Sequence, residues 1–310
     1  MAIPDEDLSV AVRNLMTMAA PERKCEIADL WSEYSPSFDI ANDTGSFRME
    51  AGIFGLVVCT PRSIAICWLL AHEAWASLDC YSTMLGLMDL SSEAIRARFR
   101  RCLRAPEDQV DMERQLDEIA NKIDELRSGV NLLDFEWPST IPILSTDRPR
   151  EVRKAAIHDI ACLVLAAMFL HEVCHVITPE QEGLSSIELE HRCDAFAQNF
   201  LTEHMSTYAR CEGYCLSQVA TKRGIALGIW CYAIHRIMGE HESESHPAPS
   251  ARLRRMLSAL ELSARSRFWI VMASLLINQL RTANHLPANV NSTSMRDLVW
   301  ELLEKVEAIA

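Results

Sequence analysis

The chain has 310 residues, 49% hydrophobic and 24% charged, with a formal net charge of −13. That length can bury a sizeable core, and the composition is globular, not disordered or repetitive. The acidic balance repels nucleic-acid phosphates, so no nucleic-acid partner is expected. The cluster Arg96, Arg98, Arg100, Arg101 and Arg104 reads as a solvated helix face paired with the acidic segment after it.

The first residues, Met1 to Asp7, are acidic and lack the basic-then-apolar layout of a signal peptide. The most apolar stretches, 160–170 and 268–277, fall short of the ~20 residues that span a bilayer, so no membrane partner is expected. Eleven cysteines, an odd number without framework spacing, suit reduced thiols. The expected localisation is therefore cytoplasmic.

Few Gly and Pro punctuate the chain, which predicts long helices. Asp5 to Met18 and Glu22 to Trp31 read as helices, and Asn42 to Gly45 as a turn. Phe47 to Thr60 carries the β-prone run Leu56-Val57-Val58-Cys59, predicting a hairpin or edge strand. Pro61 then opens a helix through Trp68 and Trp75. Residues 91–128 read as two charged helices broken near Pro106. In the second, Met112, Leu116, Ile119, Ile123 and Leu126 form one apolar stripe, a weak pointer to a partner helix.

Residues 129–148 contain Trp137-Pro138 and Ile141-Pro142, each Pro forcing its predecessor out of helix. From Pro149 onward the chain reads as helical, with breaks at Thr178 to Gly183, near Gly213, at His241 to Pro249 and at Ala283 to Asn291. Together these elements predict a mostly α fold with a minor β element. The expected division is an N-terminal helical/β region, 1–130, of unknown role and a helical domain, 131–310, that carries the chemistry-bearing helices.

The chemistry concentrates in His171-Glu172-Val173-Cys174-His175. Residues four apart share a helix face, so the two imidazoles project toward one point. Neutral imidazole nitrogens at that spacing suit zinc. Glu172, turned about 100° around the helix, reaches a water at such a site without being a ligand. Zinc makes that water acidic near neutral pH, and the carboxylate takes its proton. The run Ala161 to Leu170 is nearly all apolar, so a charged Glu172 at its end is costly unless it has a use.

A catalytic zinc needs a third protein ligand. A second helix is predicted to start at Ser185, with Glu188 closing a capping box. On it, Glu190 and Asp194 share a face. Glu190 is the expected ligand, and Asp194 the acceptor for the second ring N–H of a ligand histidine. Glu188 is turned about 200° away; His191 and the thiols of Cys174 and Cys193 are competing ligands. Thr178 and Gln181 stand where a metzincin would need Gly and His.

His171 to His175 followed by Glu190 to Ala197 resembles the gluzincin pattern of HExxH then ExxxD. The short gap and the Phe196-Ala197 ending resemble the phage-exclusion Lit-type peptidases, and next the ImmA/IrrE-type peptidases. His246-Pro247 with Arg252 resembles the His-Pro…Arg element that follows ExxxD in several gluzincin families. The resemblance implies a bacterial zinc endopeptidase acting on a protein or peptide, a translation elongation factor in Lit-type members. It also makes His246 the first candidate for a catalytic oxyanion donor, with Tyr208, Tyr232 and His235 as alternatives. Control by a regulatory peptide or protein is expected, because an unregulated endopeptidase would be toxic. The rival reading is an inactive zinc-binding regulatory or interaction module, which would tolerate loss of Glu172. Cys211 and Cys215, one helical turn apart, are read as unligated thiols.

Overall fold

The sparse Gly and Pro produce the long helices they imply. The structure, a computed structural model, describes residues 5–41, 47–52, 55–85, 107–143, 147–178, 184–238, 246–287, 290 and 292–309. The arginine cluster at 96–104, the turn at 42–45 and the first part of the break at 241–249 lie outside the described residues. Helix α1 (Asp5–Ala19), a 3-10 turn (Pro21–Arg23) and α2 (Lys24–Tyr34) lead into β1 (Ser37–Ile40). Then follow β2 (Met49–Ala51), β3 (Leu56–Cys59), α3 (Pro61–Leu85) and α4 (Glu107–Arg127). After an irregular segment come α5 (Val152–Ile177), α6 (Ser186–Thr202), α7 (Met205–Glu212) and α8 (Leu216–Met238). The chain continues through α9 (Pro249–Ala259), α10 (Arg267–Thr282) and α11 (Met295–Ile309). The fold is mostly α with a minor β element.

The β element is a three-stranded sheet in the order β1-β3-β2. The expected hairpin is β2 antiparallel to β3, with Glu50 opposite Val58. β1, for which the sequence gives no expectation, pairs parallel with β3, Phe38 opposite Val57. Its four residues, Ser-Phe-Asp-Ile, carry too little alternation to signal a strand locally; pairing with β3 creates it. Ser35, at φ 43°, and Pro36 end α2 and turn the chain into it. Gly55 enters β3 at φ 77°, a conformation that favours glycine.

Helix α5 is the centre of the body. Its residues from Ile160 to Cys174 are largely buried, and it packs against α1, α3, α6, α8 and the sheet. Phe38 of β1 meets Phe169 of α5 edge to face at 5.3 Å, which seats the sheet on this helix. The apolar stretch here is longer than the run 160–170 suggests: all of Val152–Ile177 is one helix, long and apolar enough by composition to cross a bilayer. Some 67% of its most apolar window is buried inside the protein, as a core helix requires.

The apolar stripe of α4 finds its partner within the chain. Leu116, Ile119, Ile123 and Leu126 are buried, and α4 packs on α3. Arg62 of α3, fully buried, locks this contact by donating to the carbonyls of Leu126 and Val130 at the end of α4. One apolar core runs from Leu8 to Val306, taking in both halves of the chain.

Candidate metal centre

The last turns of α5 carry His171, Glu172 and His175, and the first half of α6 packs against them. α6 starts where the sequence suggests. The Ser185 hydroxyl accepts from the Glu188 N–H, and the Glu188 carboxylate accepts from the Ser185 N–H. This capping box fixes the helix start and leaves Glu188 exposed. Two residues on, Glu190 turns inward and is buried.

The three expected ligands come together. His171 Nε2 and His175 Nε2 are 3.2 Å apart. Glu190 Oε2 lies 3.3 Å from His171 Nε2, and its Oε1 lies 3.1 Å from His175 Nε2. His171, His175 and Glu190 form a group that could hold a metal ion. Two imidazole lone pairs and a carboxylate facing one point repel unless a cation, a proton or a metal, stands between them. Neither Cys174 nor Cys193 belongs to this donor set. Both are free, buried thiols that share a hydrogen bond between α5 and α6, which holds Cys174 down and Cys193 up.

Asp194, one turn beyond Glu190, lies 3.0 Å from His171 Nδ1, the ring nitrogen turned away from the ligand face. Arg252 of α9 is buried and spans both carboxylates. Its Nε donates to Asp194 Oδ2 at 2.8 Å, Nη2 donates to Asp194 Oδ1, and Nη1 stands 3.5 Å from Glu190 Oε2. Trp230 of α8 closes the floor, its ring 5.6 Å from that of His171 and 5.8 Å from the Arg252 guanidinium.

Burial by itself would raise the Glu190 acid, but the two imidazoles and Arg252 outweigh it and hold it well below the usual carboxylate range. Burial likewise would depress His171, yet the Asp194 and Glu190 carboxylates lift it to about 9. Asp194 is pulled down against its burial by His171 and Arg252. Glu172 goes the other way: burial raises it, despite the pull of both histidines and of the Ala51 N–H.

Glu172 and the three donors line a cavity of roughly 400 Å³, with Met49, Ala51 and Gly52 of the β2 strand on one side and Met168, Trp230 and Ile234 beneath. His246 is also on its wall, Nε2 3.6 Å from Glu190 Oε1 and partly exposed. The other oxyanion candidates are elsewhere: Tyr232 donates to Glu73, Tyr208 packs beside Tyr214 under Arg223, and His235 meets Gln279. Cys211 and Cys215 are exposed and away from the cavity. One site contact had no sequence signal. The backbone N–H of Ala51 donates to Glu172 Oε2 at 2.7 Å, across 121 positions of chain.

A helical protein that gathers two histidines and a glutamate at a cleft has the make-up of a hydrolase with a metal-binding centre. The comparison with known families narrows this. The family model of Peptidase U49 matches residues 57–272, from β3 into α10 and including His171, Glu172, His175, Glu190, Asp194, His246 and Arg252, and the chain belongs to that peptidase family. No curated protein and no solved structure matches it.

Proposed function

We propose that this peptidase is a zinc-dependent endopeptidase with His171, His175 and Glu190 as the metal ligands. The spacing of the donors carries the reading. Zinc bonds of 2.0–2.1 Å in tetrahedral array separate ligand atoms by about 3.3 Å; the two imidazole Nε2 atoms are 3.2 Å apart, and the Glu190 carboxylate faces both, one oxygen 3.3 Å from His171 and the other 3.1 Å from His175. Two nitrogens and one carboxylate are also a donor set that zinc favours over magnesium or calcium. When bound, the ion supplies Lewis acidity to a water and to the substrate carbonyl.

The chain's own residues do the rest. Glu172 takes a proton from the attacking water and returns it to the leaving amine, and its raised pKa brings it nearer neutrality, where such an exchange is efficient. Asp194, 3.0 Å behind His171 Nδ1, favours the tautomer that leaves Nε2 free to ligate, and Arg252 keeps Asp194 charged. His246, on the cavity wall, donates to the oxygen that gains charge as the carbonyl is attacked. An extended substrate adds to the open edge of β2, which runs along the cavity. The Lit-type peptidases are in the U49 family. On that membership the proposal extends to a phage-exclusion role with a translation factor as substrate, released by a regulatory peptide or protein; the expected location stays the cytoplasm.

The test is wild type beside Glu172→Gln, both assayed for bound zinc and for cleavage of host-lysate proteins. The variant is expected to keep its zinc and to lose cleavage by at least ~10²-fold. Equal cleavage by the two proteins would exclude Glu172 as the base, and identical uncut lysates would favour a binding module.

A further inference from the structure

We propose that the backbone N–H of Ala51, on the open edge of β2, is the group that positions the Glu172 carboxylate. The direction of this N–H follows from the sheet register. Thr60 N–H donates to Arg48 C=O and Gly52 N–H to Leu56 C=O, so residues 48, 50 and 52 turn their backbone groups toward β3. Met49 and Ala51 alternate with them and turn theirs outward. The Ala51 N–H is thus free of the ladder, and it donates to Glu172 Oε2 at 2.7 Å.

A glutamate carboxylate rotates easily about its last bond, so a proton-transferring carboxylate needs one oxygen held to aim the other. A short bond from N–H to a carboxylate oxygen is among the stronger ones available. Here it engages Oε2 and leaves Oε1, which has no protein donor among the described residues, for the cavity. The donor itself is rigid: β2 is bonded to β3, and β1, on the other side of β3, is wedged against α5 through Phe38 and Phe169. Gly52 contributes to this, because a Cβ there would meet the Leu56 carbonyl oxygen at 3.2 Å and push the strand end outward. The strand that borders the cleft therefore also aims the base.

The kinetic consequence rests on the zinc-peptidase reading; the bond itself does not. Zinc-loaded protein carrying ¹⁵N-Ala and ¹³C′-Glu shows amide signals only from Glu–Ala peptide bonds, which occur at 50–51, 73–74, 93–94 and 307–308. Loss of one signal in Ala51→Ser identifies Ala51. Its hydrogen exchange is expected to be at least ~10-fold faster in Glu172→Ala than in wild type and slow again in Glu172→Gln, which keeps an acceptor oxygen. Exchange that ignores residue 172 overturns the proposal.

A second arm replaces the Ala51 N–H by an ester oxygen, which keeps the side chain and every N–H donor to β3, the Glu50 carbonyl becoming a weaker acceptor opposite Val58. On a quenched-fluorescent peptide library, kcat is expected to fall at least ~10-fold, with KM within about twofold and bound zinc unchanged. Unchanged kcat, or a loss traced to KM or to zinc, overturns the proposal. Glu172→Gln runs alongside; if it cleaves like wild type, the peptidase reading fails while the exchange arm still decides the Ala51 bond.

Discussion

Two carboxylates lie deep in this helical body, Glu190 on α6 at 6% exposure and Glu73 on α3 at 1%. Burial pushes both acids upward. Glu190 meets two imidazoles from one helix face and the Arg252 guanidinium, and these reverse the push. Glu73 accepts from Tyr232 Oη at 3.3 Å and from Asn278 Nδ2 at 3.1 Å, both on Oε1, while Oε2 has no hydrogen-bond partner among the described residues. Burial outweighs the pull of the nearby Arg236, so its pKa stays raised. Depth alone does not make a candidate metal site. Convergent donors do, and here two of them come from one helical repeat.

That contrast can be broken most severely at Arg252. Without its guanidinium, Asp194 and Glu190 are left as buried anions, and Arg252→Ala is expected to lose ~3–5 kcal/mol in urea unfolding of the metal-free protein. A loss near that of a surface ion pair would mean that the carboxylates are compensated by something else.

The contrast is sharpened at Asp194. Asp194→Asn keeps the shape but removes the charge behind His171, and zinc affinity is expected to fall about 10–100-fold by competition with a chelator. Unchanged affinity would remove Asp194 from the support of the site.

The smallest effect lies at Glu73, where the sign depends on pH. Its folded pKa stands above the unfolded value, so its contribution to stability is fully present below the unfolded pKa and is lost as pH rises through the folded one. Glu73→Gln keeps the Oε1 acceptor and carries no charge. It is expected to be no more stable than wild type near about pH 4 and more stable near about pH 8, read from urea midpoints. A pH-independent difference would show that Glu73 is ionised in the fold.

Much of the site was legible because its spacing is helical. His171 and His175 are one turn apart, Glu190 and Asp194 likewise, and the Ser185–Glu188 capping box announces where the second helix starts. Arg252 carried a signal in its distance from His246-Pro247. The fold class followed from the scarcity of Gly and Pro and from the long apolar runs. Strand β1 was not legible, since parallel pairing with β3 depends on a partner distant in the chain. Nor was the partner of the α4 stripe: periodicity reveals an apolar face but not whether it meets α3 or a second molecule.

What the sequence determined by itself is the pair of motif helices with His171, Glu172, His175, Glu190 and Asp194 on their inner faces, because helical geometry is local and repeats every few residues. What only the tertiary structure decided is how those faces meet. It set the separations of 3.1 to 3.3 Å between donors, the clasp of Arg252 over both carboxylates and the Ala51 N–H on Glu172. A backbone N–H is the same at every non-proline residue, so a bond formed across 121 positions leaves no mark in the residues themselves.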